Sequence, residues 1–117
     1  MDTRRTAVAF SSHRFTEVYD QLADAVRWVV PGQAPIEGKA AVIAACEAAA
    51  AEFRQLAGTD VRRFVSVAEA RLAAVDAVVA YEGADGSVSV VSSADVYEFD
   101  ADGLLVTVTS YAVELTG

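Results

Sequence analysis

Two aspartates interrupt segments that otherwise read as β-strand, and through them this chain could do chemistry. Asp95 stands in "SSADVYEF", close to Val90, Val91, Val96, Tyr97 and Phe99, and Asp76 opens "DAVVAYEG". Strands usually exclude aspartate, because its short side chain competes for backbone hydrogen bonds. In an alternating strand Asp95 shares a face with Val91, Ser93, Tyr97 and Phe99. Such a face is normally buried, so a carboxyl on it loses hydration and its pKa is expected to rise. Val78 and Ala80 share the face of Asp76. Two carboxyls opening into one cavity would push their pKa values apart, giving one acid and one base. The competing reading leaves Asp95 at a wet edge and Asp76 at a solvated bend.

The remaining polar and aromatic residues read as supports. Trp28 and Tyr97 suit cavity walls, since large rings bury area and define shape. Val30 shares a strand side with Val26 and Trp28, and Tyr19 lies on an apolar helix face, so both count as further wall candidates. Ser93 and Ser110 offer polar contacts, but no histidine is placed beside either, so a serine nucleophile is not supported. His13, the only histidine, sits in the break "SSH", which suggests a capping or surface role. Cys46 falls on an apolar helical stripe and reads as an inert buried thiol.

One cysteine and one histidine exclude an internal disulfide and any cysteine-rich or multi-histidine metal centre. "GADG" and "DADG" are turn sequences that open no helix, so no phosphate loop is present and no cofactor is expected. A net charge of −8 repels a phosphate backbone, which argues against nucleic acid as a partner. No apolar run is long enough to cross a membrane, and "MDTRRTAVAF" carries no signal-peptide pattern, so a cytoplasmic protein is expected.

The elements that must position these residues follow from periodicity. The 117 residues suffice for one domain over positions 1–117. A first helix is predicted over about Asp2–Phe10, capped by Asp2 or Thr3. A second is predicted over about Arg14–Ala23, where Phe15, Val18, Tyr19 and Leu22 form one face. "AVRWVV" is a short strand stopped by Pro31-Gly32, and "QAPIEG" a loop. A third helix over about Lys39–Ala57 buries Val42, Cys46, Ala49, Phe53 and Leu56. Strands follow near Val61–Ala70, Val75–Glu82, Ser87–Phe99 and Leu104–Leu115, with "GADG" and "DADG" as hairpin turns. "AEARLAAV" has helical propensity but is read as strand and bend. The order gives an α+β fold: a curved mixed or antiparallel sheet of four or five strands, wrapped as a cone over three N-terminal helices with a pocket inside.

Three stretches carry a family resemblance: "FTEVYDQLADAVRWVVPG", "IEGKAAVIAACEAAAAEF" and "DVYEFDADGLLVTVTSYAVEL". In them the chain resembles the nuclear-transport-factor-2-like fold, in the branch of SnoaL-like polyketide cyclases and ketosteroid isomerases. The resemblance implies that Asp95 matches the aspartic acid those isomerases keep protonated to donate to the substrate oxygen. Val30 then occupies the place of their general base, and Thr6 falls nearest their oxyanion tyrosine, which argues against ketosteroid isomerase activity itself. Laid on the limonene-epoxide-hydrolase-like branch, Asp76 fits the strand aspartate, with Ala74 and Ser110 where an arginine and a second aspartate would stand.

The expectation is a cofactor-free enzyme with an apolar small-molecule pocket. Asp76 would act as base or water-positioning group, and protonated Asp95 as donor to an oxyanion. The reaction class is isomerisation, cyclisation or dehydration beside a carbonyl. The alternative is a non-catalytic ligand-binding or dimerisation module on the same fold. On the last strand Leu105, Thr107, Thr109, Tyr111 and Val113 are read as an outer surface too apolar to stay wet, which predicts a homodimer through the outer sheet face.

Overall fold

In the computed structural model, which describes residues 1–115, α1 spans Thr3–Ser11. Asp2 caps it by accepting the Arg5 backbone N–H at 2.7 Å. Thr6, Ala7, Ala9 and Phe10 turn inward and are buried. Arg4 ties the outer side of the helix to Ser66 at 2.8 Å.

The segment Phe15–Gln21 winds as a 3₁₀ helix rather than the expected α-helix. Phe15 and Val18 are both buried, and a three-residue turn superimposes them on one side. The segment has no side-chain cap, so nothing secures a full α-helical turn before the chain becomes a strand at Leu22.

Strand β1 covers Leu22–Val29, and a two-residue β2, Ile36–Glu37, folds back on it where a loop was expected. Arg27 faces Glu37 across this pair, their side chains 2.9 Å apart. Helix α2 spans Lys39–Phe53 and stops four residues before the expected end. The sheet draws the chain away: the Ala57 N–H bonds to the Glu82 carbonyl at 2.8 Å.

Strands β3 (Gly58–Ala68), β4 (Leu72–Glu82), β5 (Val88–Phe99) and β6 (Leu105–Glu114) complete the sheet. The six strands run in the order β2-β1-β6-β5-β4-β3. All neighbours are antiparallel except β1 and β6, which run parallel, so the sheet is mixed. It remains open and curves over the helices as an α+β cone.

The core lies between helices and sheet, where Val18, Val26, Val42, Cys46, Tyr97 and Val108 have no exposed surface. Leu105 belongs there too, fully buried and not on the outer face expected for it. The cause is a bulge. Phe99 pairs with Leu105 but Glu98 pairs with Thr107, so Val106 is an extra residue. An extra residue shifts the alternation, so Leu105 and Val108 both turn inward.

Candidate active site

A cavity of about 250 Å³ opens between the concave side of the sheet and the helices. Its apolar wall is aromatic. Phe10 from α1 meets Phe15 and Trp28 edge-to-face, at centroid distances of 5.2 and 5.0 Å. Phe53, the last residue of α2, lies between His13 at 3.8 Å and Tyr81 of β4 at 5.9 Å, both roughly parallel to it. The polar lining comprises Ser11, His13, Ser93, Asp95 and Ser110, with Tyr81 and Tyr111 adding hydroxyl-bearing rings.

Asp95 reaches this cavity because β5 alternates regularly around it, with Val91 and Ser93 on the same side. Ser11 Oγ donates to Asp95 Oδ2 at 2.8 Å and also contacts the Tyr97 hydroxyl. Ser11 Oγ therefore sits between the Asp95 carboxyl and the Tyr97 hydroxyl, and Tyr97 also bonds to Asp95, so the three side chains form one polar cluster. Burial, reinforced by the charge of Asp95, pushes the Tyr97 hydroxyl far above its ordinary pKa, so it keeps its proton. Tyr81 is raised for the same two reasons. At Oδ2 Asp95 thus meets the Ser11 hydroxyl, which fixes the carboxyl at the cavity edge.

Trp28 and Ser110 also line the cavity, and the indole N–H donates to Ser110 Oγ at 3.0 Å. This bond fixes the ring as a wall and gives the serine a partner. Tyr97 lies behind the wall, fully buried, and touches the site through Ser11 and Asp95.

Five other residues singled out by the sequence lie elsewhere. Asp76 faces Val65 and Ala94 on the convex side of the sheet, where Arg63 holds it at 2.9 Å. Its carboxyl cannot share the cavity with Asp95, because inward residues of β4 are its odd-numbered neighbours Val75, Ala77, Val79 and Tyr81. Val78 is outward for the same reason. Val30 lies past the end of β1 and does not line the cavity. Tyr19 directs its hydroxyl to Glu47 on α2 at 2.9 Å, and burial with this contact raises its pKa to about 12. The Thr6 hydroxyl donates to the Asp2 carbonyl four residues back at 3.2 Å, a bond within the helix and not an oxyanion contact.

His13, read as a cap or surface residue, does close the end of α1, and its ring also lines the cavity. The sequence did not mark the cavity role, because the turn that aims the ring is set by backbone hydrogen bonds to Ala9 and Phe10. Burial lowers the His13 pKa, and the charge of Asp95 raises it back in part. Among the described residues no group of three His, Cys, Asp or Glu side chains is arranged to hold a metal ion.

The architecture is shared with solved structures. A nuclear-transport-factor-2-like protein of unknown function from Cytophaga hutchinsonii ATCC 33406 superimposes with a TM-score of 0.78 and 27% identity, over 93% of this chain and 94% of that one. A candidate polyketide cyclase from Xanthomonas campestris pv. campestris gives 0.68 at 19% identity, over 91% and 83% of the two chains. A Mycobacterium tuberculosis protein in complex with estradiol-17beta-hemisuccinate gives 0.65 at 21% identity, over 91% and 86%. No curated protein matches the chain. The sequence profile of the SnoaL-like domain matches residues 3–108, which is most of the length. By that match the chain belongs to the SnoaL-like domain family, with a nuclear-transport-factor-2-like fold.

Proposed function

We propose that this domain is a cofactor-free enzyme that binds a mostly apolar, carbonyl-containing small molecule in the aromatic cavity. Its reaction is an isomerisation, cyclisation or dehydration beside the carbonyl, and Asp95 is the proton-transfer group. The observation that carries this reading is the carboxylate of Asp95 set into an aromatic wall and fixed by Ser11 at 2.8 Å. A carboxylate held in place by hydroxyl donors can accept a proton from an adjacent carbon without reorganising. A steroid-bound structure and a candidate polyketide cyclase of the same fold are consistent with such a ligand. The base role first given to Asp76 passes to Asp95, since Asp76 lies outside the cavity. A reducing, cytoplasmic setting agrees with the free buried thiol of Cys46.

The test is a screen of apolar carbonyl compounds for binding and turnover, repeated with Asp95→Asn. The expected result is binding within a few-fold of wild type and loss of turnover. Binding with no turnover in either protein would reassign the domain as a ligand-binding module.

We also propose that two copies pair through the convex sheet face. Val67 and Val113 are about 60% exposed there, and Val65, Ala74 and Val96 extend the same surface. An apolar patch spanning four strands is more than a monomer usually leaves wet. Sedimentation equilibrium should give a dimer that Val113→Asp dissociates, and a monomeric wild type would end this reading.

A further inference from the structure

One titratable side chain of the cavity has no task in that reaction. His13 occupies an unusual place for an imidazole. Helix α1 closes with paired hydrogen bonds, Arg14 N–H to the Ala9 carbonyl at 2.9 Å and His13 N–H to the Phe10 carbonyl at 3.0 Å. This pair defines a turn whose pivot residue must adopt a left-handed backbone, a place usually taken by glycine. His13 is the pivot, with φ of 62°, and is the only non-glycine residue with positive φ among the described residues. The backbone would be served best by glycine, which has no Cβ to crowd the turn.

What histidine adds at this point is a ring in the cavity. It stacks on Phe53 at 3.8 Å with an interplanar angle of 19°, and tilts against Phe15 at 5.6 Å. Neither ring nitrogen has a hydrogen-bond partner among the described residues. Of the other polar side chains in the lining, Ser11 is engaged with Asp95 and Tyr97, and Ser110 with Trp28. The lowered pKa leaves the ring neutral near neutral pH, with one N–H to donate. A neutral imidazole can polarise a carbonyl in this way.

We propose that His13 is the oxygen-side contact of the ligand, donating a ring N–H to the carbonyl oxygen while Asp95 takes a proton from the adjacent carbon. This rests on the carbonyl-ligand reading of the cavity. In the isomerisation case the C–H electron pair becomes a C=C bond, and the carbonyl π pair moves onto oxygen, where the imidazole N–H holds it. For a substrate with a C=C bond one carbon beyond the one deprotonated, Asp95 then returns the proton to the far end of that bond, and the oxygen electrons move back to restore the carbonyl, now conjugated with the shifted C=C. No outside oxidant, reductant or co-reactant is needed.

The experiment uses α-tetralone labelled at its carbonyl carbon, bound to the whole protein, with the carbonyl stretch read by infrared difference spectroscopy. Wild type should lower the stretch relative to the compound in an apolar solvent. His13→Gly should still bind the probe but lose that lowering, with its urea midpoint unchanged or raised, because the turn favours glycine. His13→Asn, which tolerates the left-handed backbone and keeps an N–H donor, should restore part of the lowering, and it serves if the glycine variant does not fold. Asp95→Asn should retain the lowering. A stretch that is the same in wild type and His13→Gly overturns the assignment of His13 and leaves the role of Asp95 standing. Failure of wild type to bind α-tetralone saturably overturns the carbonyl-cavity reading beneath it.

Discussion

Ser11, at the end of α1, donates to Asp95 on β5 at 2.8 Å and touches the Tyr97 hydroxyl with the same oxygen. One small helix residue thus satisfies two neighbours on the inner face of a strand 84 positions away. Tyr97 is fully buried, and its hydroxyl finds its partners in Ser11 and Asp95.

Ser11→Ala should therefore cost stability out of proportion to the atom removed. Ser11→Ala removes a partner from both Asp95 and Tyr97, and losing one partner at a buried polar cluster costs roughly 1–3 kcal/mol. Urea denaturation should show a loss in that range for Ser11→Ala. Tyr97→Phe should lose less, since the hydroxyl leaves together with its need for a partner. Equal losses would mean that the polar cluster is not what stabilises this corner.

Asp76 should be dispensable to the ligand. Its pair with Arg63 is about half exposed on both sides, and such pairs contribute roughly 0–1 kcal/mol. Asp76→Asn should leave α-tetralone affinity unchanged in a fluorescence titration and barely move the urea midpoint. A tenfold loss of affinity would bring Asp76 back into the site.

The Cys46 thiol should react only when the chain opens. It is fully buried on α2, and burial, with a smaller contribution from the charge of Glu47, pushes its pKa up to about 12. Little thiolate then exists at pH 8, and the thiolate is the reactive form. An aromatic disulfide reagent should label the native protein at the rate of opening, and the urea-unfolded chain at once. Prompt labelling of the native protein would contradict this burial.

Stability should decline on mild acidification through His13. Its folded pKa lies below the ordinary value of 6.5, so as pH falls the unfolded chain takes up the proton first. The His13 contribution is fully present above about pH 6.5 and is lost as pH falls through the interval down to the folded value. Urea midpoints between pH 7.5 and pH 5 should drop for wild type, on the order of one histidine proton. His13→Asn should flatten that slope, and an unchanged slope would assign it to other groups.

The residues differ in how far the sequence alone could place them. Asp95 was legible because one alternating set of β5 carries Tyr97 and Phe99, while the other carries Ser92, Ala94 and Glu98. Asp76 was not, because both sets of β4 are apolar: Ala73, Val75, Ala77 and Val79 on one side, Ala74, Val78 and Ala80 on the other. A period of two carries no information when both faces read alike. Leu105 was misplaced by a bulge that no turn residue announces. Helix α1, its Asp2 cap and the closing hairpins were readable because caps and glycine turns are local. His13 needed the turn geometry, which becomes visible only once the hydrogen bonds of Ala9 and Phe10 are known.

The parallel seam between β1 and β6 has a consequence for how the protein is made. Trp28 lies opposite Val108, and β1 has no other neighbour than the two-residue β2. A ribosome releases β1 about 75 residues before β6, roughly 4–15 s at ordinary synthesis rates. Through that interval Phe15, Val26 and Trp28 have only the helices to cover them. The nascent chain is thus a natural client for a holding chaperone. A circular permutant opened in the Asp102–Gly103 turn would deliver β6 ahead of β1, so both strands of the seam would emerge in the first half of synthesis.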